Sequence, residues 1–207
     1  MALNNFTDLN AMHMDVLREI GNIGSGNSAT SLSQILSSEI DIGVPVVRDL
    51  EYNEVIDLLG GPEQVVIGLL VRLSGDIKGM MMYLLKENFA NKVTTTFYGK
   101  KTENVLTLDE MDRSAICEMG NIMASAYVNA IAQLTGLFID LSVPAFCADM
   151  VGAIMSVPAV EFAEVSDKVI YIDDKFQVSD DEIRSNMILI PEMESLELLF
   201  SKLGVEI

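Results

Sequence analysis

Histidine and cysteine are nearly missing from this sequence. It holds one histidine, His13, and two cysteines, Cys117 and Cys147, with no CxxC pair. A structural zinc site of the His/Cys type takes about four such ligands, so that chemistry is excluded. Metal-dependent chemistry would need carboxylates, or a metal held by a partner. Two cysteines make no disulfide framework, and the thiols read as reduced, in a cytoplasmic protein. Both are expected to be small buried side chains. Cations are scarce as well: Lys and Arg total 13 against 31 Asp and Glu, for a net charge of −18. Such a surface repels phosphate backbones and anionic membranes, which argues against nucleic-acid binding and membrane docking. No Lys or Arg precedes Arg18 and the first 15 residues have no apolar core, so they do not read as a signal peptide. No uninterrupted apolar run approaches the ~20 residues of a membrane span.

What is present is half hydrophobic by residue, 50%, with 21% charged residues and 5 prolines in 207. That composition folds, and the length suits a single domain (1–207) or two small halves sharing one core. The halves are visible. Shifted by 99 residues, Asp15-Val-Leu-Arg-Glu19-Ile-Gly21-Asn22-Ile23 lies on Ser114-Ala-Ile-Cys-Glu118-Met-Gly120-Asn121-Ile122. The same shift carries Gln34 onto Gln133 and Pro45 onto Pro144. The ends match at a shift of 105, Leu84–Gly99 onto Leu189–Gly204. The repeats thus span about 8–99 and 109–204, joined by Lys100–Thr107. The six extra residues of the second are expected in the acidic stretch Ile172–Glu182, which reads as a solvated loop.

Each half reads alike. A long helix comes first (Asp8–Ser37, Asp109–Thr135), then a strand reaching the proline (Ile40–Val47, Phe138–Val143), then a short helix (Asn53–Leu59, Ala148–Met155). Strands follow at Val65–Leu73 and Ile77–Leu85, and at Pro158–Val165, Val169–Ile172 and Met187–Ile190. A last helix ends at Gly99 or Gly204 as a C-cap. The expected fold is α/β with an internal pseudo-twofold repeat. Two α-β-α-β-β-α halves share one mixed sheet, with the two long helices on one layer.

On the first long helix Asp15, Glu19, Asn22 and Gly26 fall within about 60° of one another at ~100° per residue, and Leu17, Ile20 and Ile23 turn away. The second helix repeats the stripe as Ser114, Glu118, Asn121 and Ser125, with Ile116, Met119 and Met123 inward. A single Glu or Asn on a solvated face needs no explanation, but a Glu-x-x-Asn doubled at the same place does. Gly21, Gly24 and Gly26 each cost a helix interior ~1 kcal/mol relative to Ala. Either something approaches the backbone closely there, or the two long helices pack closely. The segment Gly21–Ser28 has P-loop spacing, but Asn27 stands where the phosphate-binding Lys must be and no strand precedes it. Nucleotide binding is therefore set aside.

Glu19-Ile-Gly-Asn22-Ile-Gly-Ser-Gly-Asn27 and Glu118-Met-Gly-Asn121-Ile-Met-Ala-Ser125 are each preceded by Asp or Ser four residues before the Glu. Each is followed by a Pro 23 residues after the Asn. In this they resemble the CheC family of chemotaxis phosphatases, and the resemblance runs from Asp8 to the C-terminus. The similar CheX proteins carry one motif per chain and pair two chains. FliY-type flagellar switch proteins carry two, but add an N-terminal switch-binding peptide and a C-terminal domain, for which 207 residues leave no room.

The resemblance implies hydrolysis of the aspartyl phosphate of a CheY-type response regulator. Asn22 and Asn121 would orient the attacking water, Glu19 and Glu118 would pair with the receiver's active-site Lys, and Asp15 and Ser114 would adjust hydrogen bonding beside them. No covalent intermediate is expected on this chain. No cofactor is expected on it either: the Mg²⁺ would belong to the receiver. The resemblance also implies a second partner, CheD. It would be contacted through a short helix Phe146–Gly152, and above all by Asp149, which otherwise reads as an acid favourable to a helix N-terminus. The chain is expected to be a monomer on its own. The alternative is a non-enzymatic docking module of the flagellar-switch kind, which grips a receiver and regulates CheD.

Overall fold

The computed structural model describes residues 6–162, 167–178 and 181–205. In chain order these form α1 (Ala11–Leu36), β1 (Ile40–Ile42), β2 (Val46–Glu51), α2 (Tyr52–Leu59), β3 (Val65–Gly75), β4 (Gly79–Leu85) and α3 (Glu87–Tyr98). The second half repeats the series as α4 (Glu110–Thr135), β5 (Ile139–Leu141), β6 (Ala145–Met150), α5 (Val151–Glu161), β7 (Lys168–Val178), β8 (Asp181–Pro191) and α6 (Met193–Lys202).

The two long helices start in the same way. The Asn10 side chain accepts from the backbone N–H of Met12 and His13 at 2.9 and 3.1 Å, and His13 Nδ1 accepts from Asn10 N–H at 3.1 Å. Ninety-nine residues on, Asp109 accepts from Asp112 N–H at 2.9 Å and Asp112 accepts from Asp109 N–H at 3.2 Å. Each box satisfies donors that a helix start otherwise leaves open. Lys100 Nζ joins the second box, 2.8 Å from Asp109 and 2.5 Å from Asp112. Gly99 caps α3 with φ +64°, and Gly204 follows α6 with φ +72°.

The sheet runs β1-β7-β8-β4-β3-β5, with β2 also on β7 and β6 also on β3. Every pairing among the described residues is antiparallel, so the expected mixed sheet is corrected. The halves exchange strands: β1 and β2 of the first pair with β7 of the second, and β5 and β6 of the second pair with β3 of the first. The pseudo-twofold passes between β4 and β8, where Tyr83–Met187 and Met82–Ile188 are mates under the 105-residue shift.

The register also places the extra residues of the second half. Val46–Asp173 and Ala145–Leu70 are mates. They put β3 on β7 at a shift of 103. Four extra residues therefore enter through the longer α5 and the link after it, and two at the β7–β8 hairpin. The acidic stretch Ile172–Glu182 is strand on both sides of residues 179–180, which lie outside the described residues, and not a loop. The expected strand Pro158–Val165 is also corrected. Pro158 lies inside α5, and residues 163–165 lie outside the described residues. Each strand expected to reach the proline is broken at a Gly-Val-Pro or Ser-Val-Pro step into two pieces, β1 with β2 and β5 with β6. The short helix of the second half starts at Val151, later than expected.

Helices cover both faces. A Cβ on Gly68 of β3 would lie 3.0 Å from Ile154 of α5, and Leu69 next to it approaches Gly120 of α4. Neighbouring strand residues point to opposite faces, so α4 and α5 lie on opposite sides. Both faces being buried, β4 reads Gly-Met-Met-Met-Tyr-Leu-Leu with every residue after the glycine buried. The α1–α4 pair is flanked by α3 beside α4 and by α6 beside α1, where the Phe200 ring stacks on His13 at 4.4 Å.

Candidate functional site

The long helices pack on each other antiparallel. A Cβ on Gly24 would lie 2.5 Å from the ring of Tyr127, and Ser28 Oγ reaches the Met123 carbonyl oxygen at 3.4 Å. These contacts are mates under the 99-residue shift. They fix the crossing near the middle of both helices, so the two Glu-x-x-Asn motifs sit on opposite sides of it.

At both motifs the expected stripe is present. Asp15, Glu19 and Asn22 are exposed, as are Ser114 and Glu118, while Asn121 and Ser125 are half-buried. Leu17, Ile20, Ile116, Met119 and Met123 are buried. Among the described residues, none of Glu19, Asn22, Glu118 and Asn121 has a side-chain partner, so all four amide and carboxylate groups remain available to a ligand. Asp15 is engaged at 2.6 Å by Arg18, one turn along the same exposed face. Ser114 stands in its place at the second motif.

Helix packing explains part of the glycine pattern. A Cβ on Gly21 would lie 2.9 Å from Val47 of β2, and one on Gly24 would enter the Tyr127 ring. At Gly26 nothing lies within 4 Å. That glycine opens the stripe itself, one turn beyond Asn22, where the second motif carries Ser125.

Beneath the crossing lies a polar cluster that sequence reasoning missed. Asp174 of β7 is buried and accepts hydrogen bonds from Ser25 Oγ of α1 and from Tyr127 Oη of α4, the latter at 2.7 Å; Ser25 Oγ and Tyr127 Oη are 2.6 Å apart. Desolvation pushes the Asp174 carboxyl up to about 6, against the lowering effect of the two hydroxyl donors. One carboxylate thus ties both motif helices to the sheet. Its partners are 149 and 47 residues away, and no local signal in an acidic stretch distinguishes it from its solvated neighbours.

Asp149 is exposed, but on β6 and not on a helix. It lies opposite Val66 of β3, and its carboxylate accepts from the next backbone N–H at 2.7 Å. The expected helix at Phe146–Gly152 is corrected: α5 begins after its N-cap Met150, so Asp149 stands just before the helix N-terminus and not within the helix. Cys117 is half-buried and burial raises its thiol pKa, whereas Cys147 is exposed on β6, which corrects the expectation that both are buried.

The CheC-like family model matches residues 12–48 and 111–147, two segments 99 residues apart that hold both motifs. The CheY-P phosphatase CheC of Bacillus subtilis is 34% identical over 98% of this chain and 99% of its own length. The flagellar motor switch phosphatase FliY of the same organism is 27% identical over 66% of this chain and 36% of its own length. The crystal structure of Thermotoga maritima FliY superposes with a TM-score of 0.75, at 22% identity, over 95% of this chain and 98% of that one. The FliM middle domain of H. pylori shares the fold at a TM-score of 0.68 and 12% identity, over 94% and 99%. With 34% identity spanning both chains almost end to end, this chain belongs to the CheC-like family.

Proposed function

We propose that this chain hydrolyses the aspartyl phosphate of a CheY-type response regulator by holding the attacking water in line. The observation that carries the reading is the doubled Glu-x-x-Asn on α1 and α4, whose four side chains have no side-chain partner among the described residues. An acyl phosphate is already activated, and a loose, metaphosphate-like transition state asks little of a general base. What remains is positioning. An amide offers one water both a donor and an acceptor, which is the role given to Asn22 and Asn121. Glu19 and Glu118 pair with the receiver's Lys and fix the register. The Mg²⁺ belongs to the receiver. The reaction runs in the cytoplasm, with this chain a monomer carrying two sites. CheD binds along β6 around Asp149.

Phosphate release from a phosphorylated CheY-type receiver tests this directly. The chain should accelerate it, and Asn22→Ala with Asn121→Ala should remove about 10²-fold or more of that acceleration, since loss of orientation at a reacting centre has that scale. Each single change should remove part. A double variant as fast as the native chain sinks the water-positioning role. A native chain that binds the receiver without accelerating its decay leaves the docking module standing in its place.

A further inference from the structure

The two motifs do not have the same surroundings, and the difference bears on how a receiver is held. Beside Ser114 and Glu118 lies an open cleft of about 440 Å³ whose other walls are Ile35 at the end of α1, Phe97 and Tyr98 at the end of α3, and Ile122 on α4. Ile35, Phe97 and Tyr98 are 36, 41 and 42% exposed, and they stand out among the exposed apolar side chains of the described residues by sharing one cleft with Glu118. The aromatic pair is fixed in place. Gly99 ends α3 immediately after it, and Tyr98 Oη reaches the Met111 carbonyl oxygen in the first turn of α4 at 3.4 Å. The antiparallel crossing brings Ile35 of α1 back alongside Glu118.

The repeat supplies the comparison. A shift of 99 carries Ile35 onto Leu134, and a shift of 105 carries Phe97 and Tyr98 onto Lys202 and Leu203. The first motif therefore has a lysine where the second has an exposed phenylalanine. Exposed ion pairs contribute little to affinity, so a Glu and an Asn on a solvated helix cannot by themselves hold a protein substrate. Binding energy in such contacts comes from a few aromatic and aliphatic anchors that leave water. The surface continuous with Glu118 offers those anchors.

We infer that the Ile35–Phe97–Tyr98–Ile122 cleft is the receiver's docking groove for the second motif: it takes an apolar side chain of the receiver from beside its phosphorylation pocket and makes the α4 site the tighter-binding of the two. This rests on the phosphatase reading above. Phe97 and Tyr98 are positioning residues that act on binding and not on the water.

The test uses the full chain with the first site disabled by Asn22→Ala, assayed on a CheY-type receiver phosphorylated with acetyl phosphate. Phe97→Lys, which copies its repeat mate Lys202, should raise KM about tenfold with kcat within about twofold. Phe97→Leu should restore most of the affinity. Thermal melting of each variant checks the fold, which an exposed helix-end substitution should spare. An unchanged KM for Phe97→Lys in a folded variant overturns the groove, as does a fall in kcat at constant KM. If the Asn22→Ala parent itself gives no acceleration, while the native chain does, the α4 site is not the tighter one and the inference falls with the phosphatase reading intact. If neither accelerates, the phosphatase reading is what has failed, and the groove falls with it.

Discussion

At the scale of single residues, Glu19, Asn22, Glu118 and Asn121 have no side-chain partner among the described residues, whereas Asp174 has two. Glu19 and Glu118 face solvent, so exchanging either for Lys should leave the fold intact. It would set a cation against the receiver's Lys, and like-charge juxtaposition at an interface costs several kcal/mol. Glu118→Lys should therefore weaken receiver binding by roughly tenfold more than Glu118→Ala, and calorimetric titration of the phosphorylated receiver measures it; equal effects of Lys and Ala would remove the receiver's Lys from the account. Asp174 is the opposite case. Its carboxyl is pushed up to about 6 in the folded chain, whereas an unfolded Asp titrates near 3.9. Between those values the folded state holds a proton that the unfolded state has lost. Its contribution to stability therefore rises as pH falls through 6 and levels off below about 4. From pH 7 to pH 5 the native chain should gain about 1 kcal/mol over Asp174→Asn, beyond whatever both gain from relief of the −18 net charge. Denaturant unfolding of the two at each pH reads the difference, and parallel pH profiles would show that Asp174 is ionised in the fold.

At the scale of elements, the long helices are where sequence and structure agree most closely and where the glycines divide. Gly24 is a packing glycine: a Cβ there would meet Tyr127 at 2.5 Å. Gly24→Ala should destabilise the chain by about 1–3 kcal/mol through overpacking, in spite of the better helix propensity of Ala. Gly26 meets nothing, so Gly26→Ala should be neutral or stabilising by up to ~1 kcal/mol. Gly26→Gln should be tolerated by the fold yet obstruct the receiver at the first motif. Melting and turnover, measured together in an Asn121→Ala background, separate the two roles; a Gly26→Gln variant with undiminished turnover removes the stripe from the receiver's path. The helices were legible because their signals are local: a 3.6-residue period and a motif stated twice. The β7–β8 hairpin was not legible, because Asp173, Asp174, Asp181 and Glu182 look like a solvated loop until Ser25 and Tyr127 arrive from distant sequence to satisfy Asp174. Pro158 misled for a related reason. It reads as an element boundary, yet in α5 its carbonyl oxygen accepts from Phe162 N–H at 2.9 Å, and Tyr52 Oη of α2 lies 3.3 Å from it. Asp149 was placed on a helix because the strand break at Pro144 moves every following element along the chain.

At the scale of the molecule, the repeat does not mean two units that happen to touch. The sequence shows two halves built alike, but it cannot show how they are sewn together, because strand exchange leaves no local trace. The register shows it. Among the described residues, β1 and β2 find their ladder partners on β7, in the other half, and β5 and β6 find theirs on β3. A chain ending at Gly99 would keep the β3–β4 hairpin and leave β1 and β2 without a strand to pair with. It would also leave β4 without β8 and α1 without α4. Its buried row of Met80, Met81, Met82, Tyr83, Leu84 and Leu85 would become an open apolar edge, and a lone two-stranded hairpin is at best marginal in water. Residues 1–99 expressed alone should therefore show no cooperative thermal transition, and the same should hold for residues 100–207. Mixed or co-expressed, the two pieces should associate one to one and recover a single transition with phosphatase activity, because every lost ladder is restored between them and not within them. A first half that melts cooperatively as a monomer would mean that β1 and β2 have another place to pair, and that the exchange across the pseudo-twofold is not what closes the core.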